Sequence, residues 1–536
     1  MTHPNPPQRR VAIYIDSLKK VGLNLIMNEY ISVFTIKHPS LWEGLVRLLS
    51  NILPFGKAWL GFEGLLLVFL FSLVSCNDDD TFTTSPQNCL SMPFDTLKMD
   101  TIFAKIPAAS KNFWIYNYSG DGIRCANVRL QKGNQSGFRV NVDGIYLGEK
   151  TGYQTSDIEV RKGDSIRVFV EVTSPDNGSE LYKELDDNLI FRLESGVEQV
   201  INLNAFAWKA DVVRNLELKN DTTIDTTISG RALVVYGGIT VDSLVTLTIA
   251  PGSTIYFHDD AGIDVKGKLI CQGTADKNIT LRGDRLDDIL KNEHLPYDRM
   301  PGRWQGIHFH GDSYDNIIEY TDLHSGNNAV VCDSSDVSRR KLTINSSTIH
   351  NCDGYGILSN NANVYVANTQ ITNAYMGGVA VYGGEMSLIH NTIAQFYWVN
   401  TKRYKGEALY FSNKLGEHFY PLTNLEVKNC IITGLGDEVG VGKNDSVAFN
   451  YHFYNSVLRT DSTKVENREN IIWEDLKDTT CGSEKNFVMV DNQHQQFDYH
   501  LDSLSKANGA GNAQWMLPLN REGLPRDEKK LNIGCY

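Results

Sequence analysis

The chain is short of positive charge, of proline and of closely spaced cysteines, and each shortage excludes something. Lys and Arg number 51 against 64 Asp and Glu, a net charge of −13. No broad basic face can neutralise a phosphate backbone, so nucleic acid is excluded as the expected partner. Proline numbers 15 against 44 glycines. With abundant Asn, Thr, Ser, Val and Ile, that balance favours a turn-rich β protein over a helical one. The nine cysteines include no CxxC pair and no histidine at zinc-ligand spacing, so most are expected to be small buried hydrophobes. Walker, GxGxxG, GxSxG and HExxH motifs are all missing, which removes nucleotide-dependent, α/β-hydrolase and thermolysin-like chemistries. What remains is ample: 536 residues, 41% hydrophobic, enough for two to four packed domains.

About a dozen uncharged residues run from Gly64 to Ser75, preceded by Lys57 and followed by Cys76-Asn-Asp-Asp-Asp80. That length suits a signal h-region and is too short to span a bilayer as a helix. Leu73-Val-Ser-Cys76 resembles a bacterial lipobox, which predicts cleavage before Cys76 and lipidation of its thiol. Residues 1–75 are then a signal peptide with an over-extended start, and 76–92 a lipidated tether. Asn77-Asp-Asp-Asp80 is similar to the acidic export signal of Bacteroidetes lipoproteins, which implies an outer-membrane protein facing the cell exterior.

Residues 93–210 alternate polar and apolar residues with period two, as in Ser165-Ile-Arg-Val-Phe-Val-Glu-Val172, with Gly, Asn and Asp between the runs. An antiparallel β-sandwich is predicted, similar to the immunoglobulin-like modules of bacterial surface proteins. From about 222 the texture changes to short Val, Ile and Thr strands broken by Gly, Asp or Pro-Gly. Self-similarity identifies the architecture. Ser346-Ser-Thr-Ile-His-Asn351 aligns with Asn368-Thr-Gln-Ile-Thr-Asn373, placing Ile349 and Ile371, and Asn351 and Asn373, 22 residues apart. Such a period fits solenoid coils, and the absence of Leu-x-x-Leu-x-Leu favours a right-handed parallel β-helix over leucine-rich repeats. The expected fold is therefore all-β: a sandwich over 93–210, a β-helix over 222–515 with Ile349 stacked on Ile371, and a C-terminal cap over 516–536.

Leu281-Arg-Gly-Asp-Arg-Leu-Asp-Asp288, Leu295-Pro-Tyr-Asp-Arg299, Pro301-Gly-Arg-Trp-Gln-Gly-Ile307 and Cys332-Asp-Ser-Ser-Asp336 resemble Bacteroidales surface lipoproteins of the right-handed parallel β-helix repeat family, within the pectate-lyase-like superfold. The ending Leu519-Asn-Arg-Glu-Gly-Leu-Pro-Arg526 with Leu531-Asn-Ile-Gly-Cys-Tyr536 is similar to that of secreted β-helix proteins, with Cys535 where Ala is usual. The resemblance covers nearly all of 76–536. It implies fold and address but no reaction, because one superfold hosts many functions.

Residues 283–304 are the richest cluster: Asp284, Asp287, Asp288, Glu293, His294, Tyr297, Asp298, Arg299 and Trp304. Too long for a turn, the stretch reads as an excursion from the helix, where solenoids place binding residues. One reading is the rim of a glycan groove, with Trp304 or Tyr297 stacking on a sugar and Asp287, Asp288 and Asp298 facing the ligand. These three carboxylates could also hold Ca²⁺ if their oxygens converge. The other reading is a solvated loop, with Trp304 anchoring it to the core and Asp298 pairing with Arg299. His324 and His350 fall at corresponding turn positions, one coil apart with its insertion; the first reading is of turn histidines facing solvent, the second a metal site completed by Asp322 or Asp353. Aromatics at 396–404, including Trp398 and Tyr404, and at 417–420 either stack on sugars or cover the solenoid. Polygalacturonase-like chemistry finds little support: Asp259-Asp260 and Asp287-Asp288 are present, but no Gly-His-Gly or Arg-Ile-Lys follows.

The expected function is an outer-membrane surface lipoprotein whose β-helix binds glycan or a surface protein without catalysis. The alternative is a polysaccharide lyase or glycoside hydrolase acting on acidic polysaccharide. Basic groups clustered beside carboxylates on one face would favour the enzyme; aromatics and Asn without paired ionisable groups would favour the binder.

Overall fold

The computed structural model describes residues 81–290, 295–396, 398–399, 402–403, 405–477 and 483–536. The leader over 1–75, Cys76, His294, Tyr404, Cys481 and the side chain of Trp398 lie outside the described residues.

Strict alternation in the N-terminal third produces two sheets around one core. In the first, Thr96–Phe103 pairs in parallel with Glu198–Trp208, which continues antiparallel through Tyr182–Leu193 to Ile123–Leu130. In the second, Lys111–Tyr116, Ser165–Val172 and Phe138–Val142 lie side by side, all antiparallel. Alternate residues of Ser165–Val172, namely Ile166, Val168, Val170 and Val172, are buried, while the intervening ones reach solvent. This is the burial expected of a strand with one wet face. Leu97, Ile115, Val128, Val140, Val168, Phe191 and Leu203 meet in the shared core.

From Ala210 onward pairing becomes parallel, and 26 strands join one continuous sheet. It winds as a parallel β-solenoid of the right-handed type, about nine turns long. Each turn contributes to three ladders. The first includes Ile263–Val265, Ile307–Phe309 and Val330–Cys332. The second includes Lys268–Gln272, Asn316–Glu319 and Leu342–Asn345. The third includes Ile279–Gly283, Thr321–His324, Thr348–Cys352, Gln370–Ala374 and Thr392–Gln395. Ile349 pairs in register with Ile371, and Ile371 with Ile393, all fully buried. The 22-residue offset is thus one turn of the solenoid.

A second stack explains the polar half of that repeat. Where the second ladder bends into the third, Tyr320, Ser346, Asn368, His390, Asn429 and Asn455 all adopt positive φ between 41° and 53°. Asn tolerates this left-handed backbone best among non-glycine residues. The next residue of each coil receives a hydrogen bond from the coil before. Thr321 N–H donates to Ser347 Oγ, Thr369 N–H to Asn391 Oδ1, and Cys430 N–H to Ser456 Oγ. Asn391 N–H donates to the sulfur of Cys430 in the same way. Backbone donors that the bend would orphan are therefore satisfied inside the solenoid. Cys125, Cys271, Cys332, Cys352, Cys430 and Cys535 are all buried thiols, as expected, whereas Cys89 is exposed.

The parallel ladders end at Ile472–Trp473. Coils do not continue to 515: Phe487–Asp491 and Gln496–Leu501 form an antiparallel hairpin. Its Phe487 and Tyr499 pack on Phe396 of the solenoid in a separate small core. Alternation alone does not distinguish such a hairpin from two further coil strands. The last residues run back along the third ladder. Asn368 Nδ2 donates to Leu519 O, Gly534 N–H to Asn429 O, Cys535 N–H to Thr392 Oγ1 and Tyr536 O–H to Gln370 Oε1.

Candidate polar groove on the third ladder

Thr348–Cys352 and Gln370–Ala374 present Thr348, His350, Gln370 and Thr372 outward, while Ile349 and Ile371 face the core. On a bare solenoid these side chains would lie on an open face. Here Pro296 and Arg299 of the excursion stand on one side, and Gln495, Phe497 and Tyr499 of the terminal hairpin on another, with Arg521 and Tyr536 of the returning tail. Together they enclose a groove of about 510 Å³.

A chain of ionisable groups leads into it. Asp298 Oδ2 lies 2.8 Å from Arg282 Nη1 and 3.5 Å from His324 Nε2. His324 Nδ1 lies 2.7 Å from Asp322 Oδ1, and the same oxygen is 3.3 Å from His350 Nε2. The two imidazoles stack at 4.7 Å between centroids, tilted by 18°. Burial by itself would push His324 down; the charges of Asp322 and Asp298 outweigh it and hold this imidazole above its usual range. For His350 burial wins over Asp322, and the ring is held below its usual range. Burial would raise both carboxyls, yet His324 with Arg282 and Arg299 holds Asp298 well below its usual range, and the two histidines do the same for Asp322. Along this chain the flanking carboxylates favour the proton on His324, and burial disfavours it on His350. Arg299 Nη1 approaches the His350 ring to 3.3 Å.

His324 and His350 are not solvent-facing turn residues: both lie on ladder strands and are buried, and with Asp322 they bring three ligand atoms within 4.8 Å of one another. Asp353 sits instead beside Gly302. Arg299 sets a positive charge 3.3 Å from the His350 ring, where a bound cation would meet it. This geometry serves a hydrogen-bonded relay better than a cation.

The excursion is built differently from the calcium expectation. Asp287 is held by Arg285 in two contacts of 2.6 Å. With Asp284 and Arg285 it lines a second cavity, of about 380 Å³, against Ile102, Phe103 and Pro107 of the N-terminal module. Asp288 lies in a short antiparallel pair with Pro296. Asp298 alone turns to the relay. Among the described residues, the three carboxylates form no metal-ligand group; arginines have claimed two of them. Trp304 is fully buried, stacked 4.5 Å from Phe257, and its indole N–H donates to His324 O at 2.8 Å. It is a core side chain and offers no face to a sugar. Tyr297 is covered by Arg285, 3.8 Å above its ring. Trp398 and Val399 belong to a two-stranded hairpin with Lys402 and Arg403. Phe419 of the 417–420 stretch is 43% exposed.

Sequence reasoning missed Arg521, Tyr536, Gln495 and Tyr499. They reach the groove from more than a hundred residues away, and no period links them to the coils. Arg521 donates to Thr348 Oγ1 and, at 3.2 Å, to Tyr536 Oη. Among the described residues its Nε and the Nδ2 of Asn373, both buried donors, have no acceptor.

Comparisons with known proteins add little. No protein-family model matches the chain, and no curated protein does. Among solved structures, the catalytic domain of a GH87 alpha-1,3-glucanase in complex with tetrasaccharides aligns at 10% identity. The alignment covers 68% of this chain and 91% of that one, with a TM-score of 0.20. So loose a superposition says nothing of this chain's chemistry.

Proposed function

We propose that the groove binds an acidic polysaccharide and that the chain is a lipid-anchored protein displaying this groove at the outer surface of the outer membrane. The observation that carries the binding half is the lining itself. Amides and hydroxyls of Asn351, Gln370, Thr372 and Asn373 line the groove together with Arg299 and Arg521, and among the described residues two buried donors there lack acceptors. A pyranose offers hydroxyls to the amides, and a uronate carboxylate offers the acceptor that a guanidinium matches best. Tyr499 and Phe497 supply apolar walls.

The address rests on Leu73-Val-Ser-Cys76 and the acidic residues after it. For the N-terminal module we propose an immunoglobulin-like sandwich that spaces the solenoid from the membrane. Its first strand pairs in parallel with its last, and the chain switches between two sheets around one core. We also read the chain as one of the Bacteroidales β-helix lipoproteins that its motifs resemble.

A second reading has its own observation. His350, disfavoured from protonation by burial and beside Arg299, would take the proton at C5 of a uronate whose carboxylate a guanidinium neutralises; the C5–H electron pair forms the C4=C5 double bond, the C4–O bond breaks, and the leaving oxygen takes its proton from the imidazolium just formed. Basic groups beside carboxylates on one face are what a lyase would require.

Titration calorimetry with uronate and neutral oligosaccharides tests the binding. Arg299→Gln is expected to weaken uronate binding at least tenfold and to leave any neutral binding unchanged. Equal uronate affinity in variant and parent would remove the proposal. Absorbance of unsaturated products tests the lyase reading: none from the parent chain, or the same amount from His350→Asn, would leave binding alone.

A further inference from the structure

A separate group of side chains stands on the first ladder. His308 and His310 belong to one extended segment, Ile307–Phe309 and the residue after it. Two residues apart, they point to the same side, while Phe309 between them is fully buried in the core. Asp264, one coil earlier, is the register partner of His308. Asp333 follows the strand one coil later, tied in place by its N–H to Phe309 O at 3.0 Å. Two histidines are thus flanked by a carboxylate from the coil on either side.

Both rings turn one nitrogen to each carboxylate. His308 Nδ1 and His310 Nε2 lie 3.5 and 3.3 Å from the same oxygen of Asp264, Oδ1. The opposite nitrogens, His308 Nε2 and His310 Nδ1, lie 3.0 and 3.8 Å from the oxygens of Asp333. Three ligand atoms around a tetrahedral ion with bonds of about 2.0–2.1 Å sit roughly 3.3 Å apart. The Asp264 side matches that spacing at both edges. On the other side, Asp333 stands behind both rings without a formed hydrogen bond to either; an ion held on the Asp264 side would leave the remaining ring N–H groups facing this carboxylate.

We propose that Asp264, His308 and His310 form a binding site for a divalent transition ion of the zinc class, with Asp333 as the positioning residue behind both imidazoles. Imidazole with carboxylate selects this class over magnesium or calcium, which prefer all-oxygen shells. The four side chains are between a third and just over half exposed, so an ion can enter from solvent. The segment after His310 is held rigid from beneath. Buried Lys341 donates to the carbonyls of His310, Gly311 and Ser313, which keeps its charge on the backbone and limits reorganisation on binding. Three protein ligands leave a fourth position for water or an anion. The site lies on another ladder from the groove and does not depend on the proposal made for it.

The test uses the full chain and zinc alone, with affinity read by competition against a chromogenic chelator. One zinc per chain is expected. His308→Gln, His310→Gln and Asp264→Asn should each weaken it at least tenfold, Asp333→Asn about tenfold, and His350→Gln not at all. Asp264→Asn is isosteric and exposed, so its metal-free melting temperature should equal the parent's. Cobalt(II) added to the parent should give the visible bands of a four- or five-coordinate ion. Absence of zinc binding at micromolar metal, unchanged affinity in the three ligand variants, loss only in His350→Gln, or a six-coordinate cobalt spectrum would each overturn the proposal.

Discussion

Trp304 shows how a single residue can be recognised as important while the sequence leaves two readings of its surroundings open. An aromatic in an acidic excursion fits a sugar platform as well as an anchor, and one chain of letters cannot reveal which way the ring points. The fold decides for the anchor, because stacking on Phe257 and a hydrogen bond to His324 O use both its face and its N–H. Trp304→Ala should cost about 3–5 kcal/mol by the usual penalty for deleting a large buried ring, measured as a lowered denaturation midpoint of the solenoid. A loss below about 1 kcal/mol would show that the ring is not part of the core. His324 and His350 were legible because they repeat, one coil apart. Their opposite proton affinities were not, since these arise from Asp298 and Asp322 converging through the fold.

Among elements, the repeating coils were the most legible. Ile349 and Ile371 announce the inward stack, and Asn351, Asn368 and Asn373 announce bends that need left-handed backbone. The terminal hairpin and returning tail were not legible, because nothing in them shares the coil period. That tail is fastened by His390, which occupies a left-handed position held by Asn in three other coils. Its Nδ1 meets Gly534 O at 3.1 Å, and Asn429 Nδ2 donates to its Nε2 at 3.0 Å. Burial, reinforced by Arg526, pushes this imidazole down to about 3. The unfolded chain takes up the proton near the ordinary value of about 6.5. The stability due to neutral His390 is therefore complete above about pH 6.5 and lost progressively as pH falls towards 3. His390→Asn keeps the backbone geometry and removes the titration. Its melting temperature should fall less than the parent's between pH 7 and pH 4, and parallel curves would contradict this assignment.

For the whole molecule, the proposed function makes the solenoid a binding surface only where non-repeating segments wall its third ladder. Thr348, His350, Gln370 and Thr372 would be ordinary outward strand residues without Arg299, Arg521 and Tyr536 beside them. Ladder amides are already protected by parallel pairing, so a ligand should register chiefly in the walls. The most direct measurement is hydrogen–deuterium exchange of the full chain with and without a saturating uronate oligosaccharide. The account predicts slower exchange at 295–303, 489–497 and 519–526, with the N-terminal module and the first ladder unchanged. Protection confined to those latter regions, or unchanged exchange in all three walls, would contradict it.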